Sequence, residues 1–221
     1  MKRWLKSNSL GLVLFVLFLV FLAGQSVAGH RHYNEEQESH NQSVVTYGDY
    51  ITSGEFVEGV FENWESEFLQ MGAYVVLTVF LYQKGSVESK KVQGSDATDR
   101  QPRKSHDKNA PWPVRRGGWV LKLYENSLSI AFLLLFLMSF WLHAYGGAVA
   151  TCEENLQHGD SDCSGTVGYM ATSKFWYESF QNWQSEFLAV GSIVVLSVYL
   201  RQKGSPESKP VNVPHARTGN E

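Results

Sequence analysis

Two stretches of this chain repeat one another. Residues 61–92 begin F-E-N-W-E-S-E-F-L and run on to Q-K-G-S-V-E-S-K; residues 180–211 begin F-Q-N-W-Q-S-E-F-L and run on to Q-K-G-S-P-E-S-K. Aligned without a gap, 21 of these 32 positions are identical. A second pair, Asn8-Ser9-Leu10 and Asn126-Ser127-Leu128, opens a long apolar run in each half. A chain duplicated in this way must build two similar units, and its apolar residues decide what kind.

Those residues are gathered into blocks. Leu10–Gly24 and Leu128–Leu142 carry no charge, and each extends to the roughly 20 residues that a helix needs to cross a bilayer. Phe68–Tyr82 and Phe187–Leu200 are shorter blocks of the same kind. The expected fold is all-α: an integral membrane protein with four transmembrane helices, arranged as two parallel two-helix repeats. The first repeat takes residues 1–92, with spans at about 10–28 and 65–83. A basic linker, expected to be disordered and cytoplasmic, takes 93–117. The second repeat takes 118–211, with spans at about 127–149 and 184–202, and a disordered tail takes 212–221.

Charge sets the orientation. The segments before the first block, between the second and third, and after the fourth hold 17 of the 19 Lys and Arg and 7 of the 22 acids. The other two loops hold only Arg31 and Lys174. Lys and Arg near span ends stay on the cytoplasmic side, so both termini are expected inside and two acidic loops outside. An even number of crossings per repeat then makes the repeats parallel. Ser26-Val27-Ala28 before Gly29 also suits a signal-peptide cleavage site. However, the first block matches the third, which lies mid-chain, and this favours a retained anchor.

Each acidic loop leads into an amphipathic segment. Phe56, Val57, Val60, Phe61, Trp64 and Phe68 fall at helical spacing, with Glu55, Glu58, Glu62 and Glu65 on the opposite face. Thr52 or Ser53, and Thr172 or Ser173 in the second copy, are the expected caps. Trp64 and Trp183 are expected as interfacial anchors.

Phe68–Tyr82 is 15 residues, about 22 Å of helix against roughly 30 Å of hydrocarbon. A span must therefore draw in another outer turn, which carries Glu67 and Glu186 to the outer boundary. Ionisable groups at that depth need partners. Asn63 and Ser66 share a side with Glu67, as Asn182 and Ser185 do with Glu186. With Gln25 and His143, which align near the outer ends of their own spans, these residues form a candidate polar or ion site. The competing reading is a pair of ordinary amphipathic helices whose acids point to water. Gly72-Ala73 and Gly191-Ser192 are small-residue pairs suited to close helix contact between the repeats.

The two cysteines, Cys152 and Cys163, lie in the second outer loop, where a disulfide is expected. A zinc site with His158 matches no standard spacing, so no metal or cofactor is expected. Nucleophile-elbow, phosphate-loop and zincin patterns are absent from the sequence, and this argues against an enzyme.

The F-x-N-W-x-S-E-F-L block followed by Q-K-G-S, with Tyr33-Asn34-Glu35-Glu36 and Thr46-Tyr47-Gly48-Asp49-Tyr50, resembles a bacterial family of uncharacterised multi-pass transmembrane proteins known as a domain of unknown function. The resemblance implies a bacterial inner-membrane location and carries no activity. The expected role is non-catalytic interaction or self-assembly in the cell envelope. The expected partners are the lipid bilayer, a second copy or another membrane protein, and not nucleic acid. The alternative is a small proton or cation channel using Glu67 and Glu186.

Overall fold

Residues 2–94, 96–161 and 163–219 are described by a computed structural model, Lys2 by its backbone alone. Met1, Asn220 and Glu221, the outermost residues of the expected first repeat and tail, lie outside the described residues. Among the described residues all regular structure is helical: α1 Lys2–Ser7, α2 Ser9–Ser39, α3 Tyr47–Tyr50, α4 Gly54–Phe80, α5 Trp112–Arg116, α6 Gly118–Glu125, α7 Ser127–Gln157, α8 Thr166–Met170 and α9 Ser173–Tyr199.

Two of the long helices, α4 and α9, start where the sequence supplies a cap. The Ser53 hydroxyl accepts from the Phe56 N–H at 3.3 Å, and the Thr172 hydroxyl accepts from the Phe175 N–H at 3.3 Å. Each bond satisfies one donor that a helix start leaves open. Both amphipathic segments run unbroken into the apolar block that follows, giving 27 residues in α4 and 27 in α9, while α2 and α7 have 31 each. Of these four, α2 and α7 are long and apolar enough to cross a membrane.

The chain divides into two compact units. One comprises Met1–Val60 with Leu142–Ala171, the other Phe61–Trp141 with Thr172–Glu221. In the first, the turn after α2 is held by side chains rather than by a sheet. The Asn34 amide grips Val45 twice, accepting from its N–H at 2.8 Å and donating to its carbonyl at 3.2 Å. The His30 ring donates to the same carbonyl at 2.9 Å. Thr46 caps α3 through the Asp49 N–H, and Tyr50 is buried among the rings of His30, Tyr33 and Phe56. The Y-N-E-E and T-Y-G-D-Y motifs are therefore structural: one supplies the clamp, and the other the cap and the buried ring.

In the same unit the start of α4 meets the end of α7 almost backbone to backbone. A methyl group on Gly54 would lie 2.5 Å from the Ala150 nitrogen, and one on Gly146 would lie 2.9 Å from the Gly54 carbonyl oxygen. Gly147 lies equally close under the Tyr169 ring. Further along the chain, Cys152 and Cys163 form a disulfide, with their Cα atoms 4.7 Å apart.

The second unit has an aromatic core between α7 and α9. Phe175 is fully buried with its ring 5.0 Å from that of Phe140, and Trp183 stands edge-on to Phe136 at 6.4 Å. Gly72 lets α4 approach Phe132 of α7, where a methyl group would stand 3.1 Å from the Phe132 Cβ; a methyl group on Gly191 would meet nothing within 4 Å. The 93–117 stretch contains a 3-10 turn, Ala97–Asp99, closed by an Asp96 capping box, and α5, whose Val114 carbonyl accepts from the Ser105 N–H at 3.2 Å. The 212–219 stretch folds back on the chain. The Lys209 ammonium, almost wholly buried, donates to the carbonyls of His215 at 2.9 Å and Arg217 at 3.1 Å. Composition alone reveals none of these local bonds.

Candidate functional site

The residues singled out from the sequence divide between the two units. Glu67 is exposed and Glu186 half-buried, and the two carboxylates lie within electrostatic reach of one another in the second unit. Their neighbouring hydroxyls serve the helix instead: Ser66 donates to the Asn63 carbonyl and Ser185 to the Asn182 carbonyl, each at 2.8 Å. A serine three residues on can reach its own helix backbone more easily than a neighbouring carboxylate. The Asn63 amide reaches Glu62 at 3.5 Å, while Asn182 is half-buried. Trp64 stacks edge-on between Phe61 and Phe68. In the first unit, Gln25 is exposed and donates to the Gly59 carbonyl at 3.2 Å, whereas His143 is completely buried.

The more deeply built polar sites use two acids from the acidic face of α4. Glu65 is fully buried and accepts from the Trp183 indole N–H at 2.9 Å. Glu58 is 7% exposed and accepts from the Tyr169 hydroxyl at 2.6 Å. Its carboxylate and the His143 ring bring ligand atoms within 4.8 Å of one another. Tyr169 is 1% exposed, so Glu58, His143 and Tyr169 form a buried acid–imidazole–phenol group. A buried carboxylate is tolerated only with partners, and the glycine contact of Gly54 and Gly146 sets the spacing that provides them. Such a group can hold a proton or a cation. A sequence signal did exist: Glu58 and Glu65 are seven residues apart, two turns along one helix face, and the small residues Gly54, Gly146 and Gly147 mark where that face meets another backbone.

The duplicated Q-K-G-S-x-E-S-K stretches take one conformation. In the first copy Ser89 accepts from the Gln83 N–H at 2.9 Å and Ser86 from the Glu88 N–H at 3.1 Å. In the second copy Ser208 accepts from the Gln202 N–H at 2.8 Å and Ser205 from the Glu207 N–H at 3.2 Å. Gly85 and Gly204 take the left-handed φ values of 88° and 86° that the turn requires. The equivalent acids meet: the Glu88 carboxyl hydrogen-bonds Glu207 and accepts from the Tyr74 hydroxyl at 3.0 Å. Burial, followed by the hydrogen bond to Glu207, raises the Glu88 pKa above the usual carboxylate range. Burial likewise lowers the Lys209 pKa, with the Arg201 charge adding to the effect.

No curated protein and no solved structure matches the chain. One family model matches residues 1–220, nearly the full length, and its description is a domain of unknown function. With that coverage, the chain belongs to the family of the domain of unknown function DUF6766.

Proposed function

We propose that this chain is a non-catalytic integral protein of the bacterial inner membrane, crossing it four times as two parallel two-helix repeats, with both termini cytoplasmic. One observation carries this reading. Leu10, Val13, Leu14, Phe15, Val16 and Phe21, which together surround α2, are each more than half exposed. A helix that is apolar on every side and bare of protein needs an apolar solvent. The matched lengths of α2 with α7 and of α4 with α9, and the matched caps of α4 and α9, support the repeat, and the Lys and Arg distribution supports the orientation. Reporter fusions at residues 40 and 100 test it: an external signal at 40 and a cytoplasmic one at 100 are expected, and the reverse would refute the topology.

Its role is interaction or self-assembly within the bilayer, the partner being a second copy or another membrane protein. The surface offered is the aromatic start of α9, where Tyr177 is 69% and Phe180 56% exposed. A photo-crosslinker placed at Tyr177 or Phe180 should give a discrete adduct in intact membranes. Crosslinking only to lipid would exclude this surface as the contact.

A second reading is favoured by the proximity of Glu67 and Glu186. It is a proton or cation path in which that pair carries charge, oligomerisation supplying the width that four helices lack. Flux through proteoliposomes, abolished in a Glu67→Gln/Glu186→Gln variant that still folds, is its signature. Wild-type protein that inserts but passes no ions would remove it.

A further inference from the structure

The segment that follows α4 and the C-terminal segment line an open basic cavity outside the polar sites described above. Its volume is about 430 Å³, and Lys84, Lys91, Gln93, Arg217 and Thr218 line it. Three of these five are cations and none of the lining residues is acidic. Asp96, whose charge Lys91 also feels, lies outside the lining.

The walls come from chain segments more than a hundred residues apart and are joined by hydrogen bonds from backbone N–H groups. The Gly85 N–H donates to the Thr218 hydroxyl at 2.8 Å, and the Gly219 N–H donates to the Ser86 carbonyl at 2.9 Å. The C-terminal wall is shaped from beneath by Lys209, whose ammonium gathers the carbonyls of Pro214, His215 and Arg217. The Arg201 guanidinium, donating to the Val213 carbonyl at 3.2 Å, and the His215 ring, donating to the Val198 carbonyl at 2.9 Å, tie this wall to the end of α9. Gly85 is essential to the closure: beyond its left-handed φ, a methyl group there would lie 2.5 Å from the His215 carbonyl oxygen. Lys84, Lys91 and Arg217 therefore line one open concavity whose backbone is fixed, with Lys84 and Arg217 exposed to solvent.

We propose that this cavity binds a phosphate-bearing anion. Lys supplies compact positive charge and Arg a planar fork matched to phosphate oxygens. The Gln93 amide and the backbone of the 216–218 segment add neutral hydrogen-bonding capacity. The volume falls in the usual range for small-ligand sites, about 300–1,000 Å³, and so has room for a phosphate with its attached alcohol. Lys84 follows directly on the expected span at about 65–83, at headgroup level on the side where anionic lipid and basic residues attract one another. The two available sources of the chemistry are an anionic phospholipid headgroup and a soluble phosphate ester. The lipid arm rests on the membrane reading above; the soluble arm does not.

The test uses the full chain in both settings, comparing wild type with Lys84→Gln/Arg217→Gln, and with Lys122→Gln as an exposed basic control outside the cavity. In detergent solution, the melting temperature is followed against inorganic phosphate and glycerol 3-phosphate at constant ionic strength. In nanodiscs, native mass spectrometry compares retention of phosphatidylglycerol with phosphatidylcholine. Each cation removed should weaken binding about fivefold, and the double variant roughly 25-fold, while Lys122→Gln should match wild type. Phosphatidylglycerol retention that only the double variant loses assigns the lipid source. Stabilisation by phosphate or glycerol phosphate that only the double variant loses assigns the soluble one. Equal behaviour of wild type and double variant in detergent and in nanodiscs overturns the proposal. A chain that fails to enter nanodiscs refutes the membrane reading separately, because the detergent arm still reports on the cavity.

Discussion

Replacing Gly54 by alanine is the sharpest test of how the first unit is built. The added methyl group would sit 2.5 Å from the Ala150 nitrogen, 2.7 Å from the Gly146 carbonyl oxygen and 2.8 Å from the Val149 Cβ. Ordinary non-bonded contact is about 3.5–4.0 Å, so each approach is roughly 1 Å too short. Two of the three atoms belong to the backbone of α7 and cannot swing aside. The start of α4 must therefore move away from α7, at an overpacking cost of about 1–3 kcal/mol. The same movement strains the 2.6 Å Tyr169–Glu58 bond one turn on, adding part of a further 1.5–3 kcal/mol. A destabilisation of about 2–4 kcal/mol is expected. Gly191→Ala is the matched control. It lies inside α9 with nothing within 4 Å of the new methyl group, so helix propensity alone acts and the change should stabilise by up to about 1 kcal/mol. Unfolding midpoints in dodecyl maltoside–SDS mixed micelles, followed by far-ultraviolet circular dichroism, separate the two. A Gly54→Ala protein that unfolds with the Gly191→Ala protein, at or above the wild-type midpoint, would refute the close approach and the polar group built on it.

Tyr169→Phe keeps the ring over Gly147 but removes the hydroxyl from the buried Glu58, and should cost about 1.5–3 kcal/mol in the same assay; no change would mean that the bond contributes nothing. Trp183→Phe leaves the fully buried Glu65 without its indole donor and should destabilise by about 1–3 kcal/mol, with Glu65→Gln recovering part of the loss in the double variant. The raised pKa of Glu88 fixes the sign of a pH effect. Between the unfolded and folded values the native state binds more protons than the unfolded chain, so stability falls as pH rises through that window and levels off above it. Glu88→Gln should remove this slope and stabilise the protein at neutral pH; an unchanged profile would place the titration elsewhere.

Much of the fold is legible in the sequence, for physical reasons. Capping chemistry is local, so Ser53 and Thr172 mark helix starts whatever surrounds them. The Q-K-G-S-x-E-S-K turn is equally local: its serines bond to backbone within a few residues, and both copies fold alike. The polar sites are less legible. Depth along their helices singles out Glu67 and Glu186, and the structure brings them within electrostatic reach of one another. It buries Glu58 and Glu65 instead, and their partners Tyr169 and Trp183 lie more than a hundred residues away in the chain.

Periodicity separates an apolar face from an acidic one on α4 but does not say which face turns inward. The answer depends on the solvent. In water the aromatic stripe would be buried and the glutamates exposed. In lipid, as proposed for this chain, the half-exposed rings of Phe61, Trp64 and Phe68 are at no disadvantage, and carboxylates must find protein partners. The sequence by itself thus determined the duplication, the helix starts, the candidate spans and the charge asymmetry, all properties of neighbouring residues and their order. Only the tertiary structure decided that Glu58 and Glu65 face inward, that Gly54 and Gly146 touch, and that Lys84 and Arg217 line one cavity, because each of these depends on distances between segments far apart in the chain.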